Sequence, residues 1–381
     1  MRGSQPARIE RRSEKAMEKR DAFALDTFEG SRTMFQRMLV PLDGSKRAER
    51  AIPVAARLAQ ASGGSITLLR VVTSPVGYEW QTSESPMLLQ ESQVADQARA
   101  ADYLAHIAAS DELAGIATTT EVFHGMPAQT ILSVAHSQQT DIIIMCSHGY
   151  TGMAHRVMGS VTEKVARHAP VPVFVLREAG TLPAGPHLDA THPLRALVAL
   201  DGSARAKSAL EPAACFIAAL AAPGKGALHL AQVVKPATPG NEEKGIDEGV
   251  ENESMLHNAQ KYLSSIIEHF HVGLVAPAVA SHKLLVTCVV AVDDDVASAL
   301  VRLAENTGNA RDAEGAGVFG GCDIIAMATH GIGGIQRWAM GSITERVLNA
   351  TKIPLLIVRP LDMMDKSNFI WDEITLSDIQ A

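Results

Sequence analysis

The residues of this chain best suited to chemistry occur twice. Ser147-His148-Gly149 is followed, after nine residues, by Gly159-Ser160-Val161-Thr162-Glu163, and Thr329-His330-Gly331 is followed at the same interval by Gly341-Ser342-Ile343-Thr344-Glu345. Each copy comes after an apolar run opened by Asp-Ile-Ile (Asp141 to Met145, Asp323 to Met327), and each leads into a β-rich run containing a proline, Val171–Leu176 and Ile353–Val358. A strand, a glycine-punctuated loop and a helix start are the parts of an anion site. The N–H groups of the first helical turn point at the ligand, and the helix dipole favours negative charge there. A second motif opens each repeat, Leu42-Asp43-Gly44-Ser45 and Leu200-Asp201-Gly202-Ser203. An aspartate after the first strand can accept hydrogen bonds from ribose hydroxyls or an adenine amino group, and the glycine loop can wrap phosphates. Together they suggest a nucleotide. The same residues also have a purely structural use. Asp-Gly-Ser after a strand is an ordinary turn and helix cap, and Ser160 and Ser342 each begin Ser-x-x-Glu, the spacing of a capping box.

Other candidate chemistry is thinner. His148 and His330 recur, but no serine or cysteine nucleophile with a partner recurs with them, so they are expected to shape the loop rather than act as bases. Arg156 and Arg337 lie inside the nine-residue segments but are offset by one between the copies, which fits a phosphate contact or a solvated charge equally. There is no G-x-x-x-x-G-K-[ST], and no G-x-G-x-x-G follows the first strand of either repeat. The four cysteines, Cys146, Cys215, Cys288 and Cys322, form no C-x-x-C pair and suit a reduced, cytoplasmic protein. A net charge of −8 argues against a nucleic-acid or anionic-membrane partner. No apolar run is long enough for a membrane span, and the charged first 34 residues do not read as a secretory signal.

These motifs need elements to carry them. Short Val/Ile/Leu-rich runs predict strands near 36–42, 64–72, 118–123, 140–146 and 171–177, then near 195–200, 226–234, 283–291, 322–328 and 353–359. They alternate little, as parallel strands covered on both faces do. Helices are predicted near 46–61, 87–109, 127–138 and 160–168, and near 204–221, 245–270, 293–306 and 342–350. The pattern is α/β: two repeated open parallel five-stranded sheets with helices on both faces. The expected divisions are a tail over 1–34, a first domain over 35–179, a linker over 180–193, a second domain over 194–360 and a tail over 361–381. Asn306 to Gly321, rich in turn residues, is the candidate insertion that lengthens the second repeat. Pro53 and Pro212 fall inside the first helix of each repeat and predict a kink.

At these residues the chain resembles the universal stress protein family in its tandem form. The family's nucleotide-binding members carry Gly-x-x-Gly-x9-Gly-(Ser/Thr), which falls here on Cys146, Gly149, Gly159 and Ser160, and on Ala328, Gly331, Gly341 and Ser342. The resemblance implies an adenine-nucleotide alpha-hydrolase-like fold with strand order 3-2-1-4-5, and ATP as ligand, with or without Mg2+. It implies a nucleotide site at Pro41, Asp43, Val71, Met145, Gly149, Gly159, Ser160 and Val161, and a second at Asp201, Val233, Met327, Gly331, Gly341, Ser342 and Ile343. It also implies an intramolecular pseudo-dimer through Val171–Leu176 and Ile353–Val358, with a homodimer as a further form. The implied function is nucleotide-responsive stress signalling, with slow ATP hydrolysis at most. The alternatives are a member that acts through dimerisation without nucleotide, and an ATP-dependent adenylating enzyme.

The departure from the motif is Cys146 and Ala328 in place of its first glycine. The smaller alanine favours the second repeat as the tighter site. Valine at Gly331 or Gly341 is expected to collide with bound phosphates while leaving the fold intact.

Overall fold

The computed structural model describes residues 35–73, 86–147, 158–177, 193–236, 248–282, 284–305, 321–331 and 340–360. In the first repeat, strands β1 (Arg37–Pro41), β2 (Ser65–Val72), β3 (Ala117–His124), β4 (Ile142–Cys146) and β5 (Val173–Leu176) alternate with helices α1 (Lys46–Glu49), α2 (Ala51–Ser62), α3 (Pro86–Ala108), α4 (Pro127–Ser137) and α5 (Ser160–His168). The second supplies β6 (Leu194–Leu200), β7 (Gly226–Val234), β8 (Leu285–Val292), β9 (Ile324–Ala328) and β10 (Leu355–Val358), with α6 (Ala204–Lys207), α7 (Leu210–Ala221), α8 (Glu248–His271), α9 (Val296–Glu305) and α10 (Ser342–Ala350). Their order is β3-β2-β1-β4-β5-β10-β9-β6-β7-β8, so each repeat has the 3-2-1-4-5 arrangement.

The apolar strands lack alternation because both faces of the sheet are covered. In β1, Met38 and Val40 enter the core beneath α2, α3, α7 and α8, while Leu39 enters the core beneath α4, α5, α9 and α10. Ile142 and Ile144 of β4 likewise face the first core, and Ile143 and Met145 the second. Both cores run across the two repeats without interruption.

The continuity comes from one antiparallel pairing in a sheet otherwise parallel. β5 and β10 pair through Val173↔Ile357, Phe174↔Leu356 and Val175↔Leu355. Left alone, each would be a short, fully apolar edge open to other chains. The side chains of both strands are buried, and Phe174 packs on Phe216 of α7 with ring centroids 4.5 Å apart. Phe35 meets the same ring edge-on at 6.0 Å. The arginines that follow the two strands bond reciprocally across the seam. Arg177 Nε donates to Thr351 O at the end of α10 (3.1 Å), and Arg359 Nη1 donates to His168 O at the end of α5 (3.4 Å). Both carbonyls lie at helix C-termini, where a guanidinium is favoured by the dipole.

The predicted prolyl kinks take the form of breaks one turn ahead of each proline. In each repeat the predicted first helix is two helices, broken at Arg50 and at Ser208–Ala209, and Pro53 and Pro212 stand at the third position of α2 and α7. In a first turn the N–H has no intrahelical acceptor, so proline costs nothing there.

Two outcomes follow from the packing. Phe216, fully buried at the seam, contributes contacts to both repeats, so Phe216→Ala is expected to cost about 3–5 kcal/mol, read as a lower denaturant midpoint. A loss below 1 kcal/mol would show that the seam does not depend on the ring. His229, on β7, hydrogen bonds Thr287 Oγ1 at 2.9 Å; burial, with the nearby Arg195 charge, pushes its pKa down to about 4. An unfolded histidine binds its proton near pH 6.5, so between there and pH 4 the unfolded chain holds the extra proton and stability falls as pH drops. The loss is on the order of 3 kcal/mol, and His229→Gln should flatten that part of the stability-against-pH curve.

Candidate functional site

The strand order reverses at β1, which pairs with β2 on one side and with β4 on the other (Met38↔Ile142, Leu39↔Ile143). Connections leaving neighbouring strands toward opposite faces of the sheet part at this point and open a crevice at the carboxyl ends. Asp43 stands on one lip. Gly44 turns the chain with φ +82°, a region that suits glycine, and Asp43 Oδ1 accepts from Ser45 N (2.9 Å) and Ser45 Oγ (2.6 Å). Ser45 Oγ in turn accepts from Ala48 N at 3.2 Å and caps α1. The second repeat repeats the turn: Gly202 has φ +87°, Asp201 Oδ1 accepts from Ser203 N at 2.9 Å, and Ser203 Oγ accepts from Ala206 N at 3.0 Å. The turn-and-cap reading of these residues therefore holds, and it fixes the carboxylate at the crevice.

The other lip is the start of α5. Gly159 N donates to Ser147 O (2.8 Å), Glu163 N to Gly159 O (2.9 Å), and Thr162 Oγ1 to Cys146 O (2.9 Å). Gly341 N to Thr329 O (2.8 Å), Glu345 N to Gly341 O (3.0 Å) and Thr344 Oγ1 to Ala328 O (2.9 Å) reproduce all three at α10. The capping-box expectation fails in both. Gly159 and Gly341 are the N-caps, and Ser160 and Ser342 are the first helical residues, exposed at the helix mouth. The Glu163 side chain bonds Arg167 instead (2.8 Å).

Between the lips of the first repeat lies a cavity of about 560 Å3. Pro41, Asp43, Val71, Met145, Gly159, Ser160 and Val161 all line it. Gly149, His148 and Arg156 lie outside the described residues. Cys146 also lines the cavity, but its Sγ donates to Arg47 O at 2.8 Å, toward α1. Burial pushes its pKa up to about 12, so it remains a thiol. A neighbouring cavity of about 420 Å3 shares Gly44, Arg70, Val71 and Thr73, and extends to Arg99 and Tyr103 of α3. Arg70 was not among the sequence candidates; its signal is a lone charge in the apolar run Ile66–Val72. Thr162 and Thr344 were also missed, although they recur at the same place in both motifs.

In the second repeat the structure brings Asp201 and Gly331 together so closely that a Cβ on Gly331 would stand 1.8 Å from Asp201 Oδ2. A Cβ on Gly341 would stand 3.0 Å from Thr329 O. Valine at either position therefore meets the protein itself, not only phosphates. Ser342 and Ile343 open α10, while Met327, buried, and Val233 sit near the carboxyl ends of β9 and β7. His330 is buried with Nδ1 3.0 Å from Thr329 Oγ1, and Arg337 lies outside the described residues.

The family model described as the universal stress protein family matches residues 34–177 and 320–359. A universal stress protein of Thermus aquaticus is 30% identical over 145 residues, which are 38% of this chain and 100% of the relative. The chain belongs to the universal stress protein family. A tandem-length universal stress protein of Mycobacterium tuberculosis is 25% identical over 344 residues, covering 84% of this chain and 94% of its own. The crystal structure of a universal stress protein from Archaeoglobus fulgidus shares the fold, with a TM-score of 0.53 at 18% identity over 87% of this chain and 98% of that one.

The contact of Asp201 with Gly331 makes a direct expectation. Gly331→Ala should destabilise the protein by about 1–3 kcal/mol, because the new methyl must displace the carboxylate. In an Asp201→Gly background the same change should cost much less. Additive costs in the double variant would show that the two residues do not touch.

Proposed function

We propose that this universal stress protein binds an adenine nucleotide in the crevice between Asp43 and the start of α5, and that the nucleotide biases its association with a partner in a stress response. The observation that carries the reading is the first-repeat cavity: one space joins a turn-fixed carboxylate, the ends of β2 and β4 and the first turn of a helix. Asp43 offers acceptors to ribose hydroxyls or an exocyclic amine. The first-turn N–H groups of α5 and its dipole suit phosphates. Val71 and Met145 supply apolar contact for a base. Cys146, which stands where the motif has its first glycine, turns its sulfur toward Arg47 O and leaves room for the ligand. Mg2+ would enter with the phosphates. Slow hydrolysis at most is part of the same proposal, as is the cytoplasm as its compartment. No helix among the described residues is long and apolar enough to cross a membrane.

Ser160→Asp separates ligand binding from folding. An acidic residue in the first turn of a helix stabilises it by about 0.3–1 kcal/mol, whereas the same charge repels phosphate. Calorimetric titration with ATP should show affinity at least tenfold weaker than the parent, with unfolding temperature unchanged or raised. Equal affinity in the variant would remove the α5 mouth from the site.

A further inference from the structure

We propose that the two crevices are not equivalent: the first alone takes the nucleotide, and Arg70 is the residue that sets the preference. The proposal rests on the nucleotide reading above and adds its place and its discriminator.

The repeats share the same cap and loop bonds at Asp43 and Asp201 and at Gly159 and Gly341, so the charges that differ between them stand out. Arg70, on β2, corresponds to Gln232 on β7, since Leu69-Arg70-Val71 and Ala231-Gln232-Val233 occupy the same register beside β1 and β6. The Arg70 guanidinium bonds Leu42 O at 3.3 Å, and Nη1 lies 3.1 Å from where a Cβ of Gly44 would stand, so the cation sits beside the Asp43 turn and faces both cavities. At this end the first crevice presents an acceptor and an obligate donor side by side. That pair matches a ligand edge carrying an amine next to a ring nitrogen. In the second crevice the residue at this register is Gln232, a neutral side chain whose Oε1 is buried and makes no hydrogen bond among the described residues.

The other end differs in the same sense. The residue preceding α4 is Met126, uncharged and exposed, and Pro127 and Ile131 of α4 line the first cavity. The residues preceding α9 are Asp293, Asp294 and Asp295. Asp295 accepts from Ser298 Oγ (2.8 Å) and Ser298 N (3.2 Å) and pairs with Arg346 in the first half of α10. Asp293 pairs with Arg302, and Asp294 is exposed. The position of Arg346 on α10 is that of Lys164 on α5, which is exposed. So the α10 cation is engaged by a carboxylate in a rim that carries three aspartates, while its counterpart on α5, Lys164, is exposed. A polyanion is attracted to the first crevice and repelled by the second. This order is the reverse of the one expected from Cys146 and Ala328 alone.

The experiment is ATP titration of the full chain, the parent beside Arg70→Gln and Ser160→Asp, by calorimetry and by equilibrium dialysis. Glutamine is the residue the second repeat carries at this place and Ser160 is exposed; thermal unfolding confirms that both variants fold. The expected result is one nucleotide per chain in the parent, affinity at least tenfold weaker in Arg70→Gln, and loss of the site in Ser160→Asp. Two equal sites in the parent, a full-strength site surviving in Ser160→Asp, or parental affinity in Arg70→Gln would each overturn the proposal while leaving nucleotide binding intact. No binding by the parent would overturn the nucleotide reading itself, and this proposal with it.

Discussion

Everything proposed for this chain depends on the adjacency of β1 and β4. Because β1 pairs with β2 on one side and β4 on the other, the chain leaves β1 toward the α1–α2 face and the helix after β4 covers the opposite face. The sheet cannot close over the gap between them. Asp43 and the first turn of α5, far apart in sequence, come to border one space through this single reversal. The second repeat makes the same reversal with β6 and β9, and there Asp201 and Gly331 are in direct contact.

The antiparallel seam between β5 and β10 is the second constraint. It turns two open sheets into one and gives them common cores on both faces. Phe174, Phe216 and the reciprocal arginines Arg177 and Arg359 sit on it. The seam places the two crevices on one continuous sheet. Each can then specialise: the loop bonds that build them, 2.8–2.9 Å in the first repeat and 2.8–3.0 Å in the second, match pair by pair, while the charges at their rims do not.

Much of this was legible in the sequence because the repeats speak twice. Ten strands and the long helices could be placed from short apolar runs, and the pairing of the last strands from two equally apolar segments with matching prolines. What was missed has local causes. Pro53 and Pro212 read as kinks within one helix, whereas each stands in the first turn of a new helix that begins after the break at Arg50 or Ser208–Ala209. Ser160 and Ser342 have capping-box spacing, yet the tie from Gly159 N to Ser147 O, and its twin at Gly341, make the preceding glycines the caps. Arg70 matters through what surrounds it in space, the Gly44 turn and the α3 face, and no spacing along the chain records that.

The most direct test of the account is amide hydrogen exchange followed by mass spectrometry, on the full chain with and without saturating ATP. The N–H groups of Ser160, Val161 and Thr162, together with the turn at Asp43 to Ser45, should slow their exchange when nucleotide is present, and the peptides covering Ser342 to Thr344 should not change. Protection confined to Ser342–Thr344, or no protection at the start of α5, would contradict it.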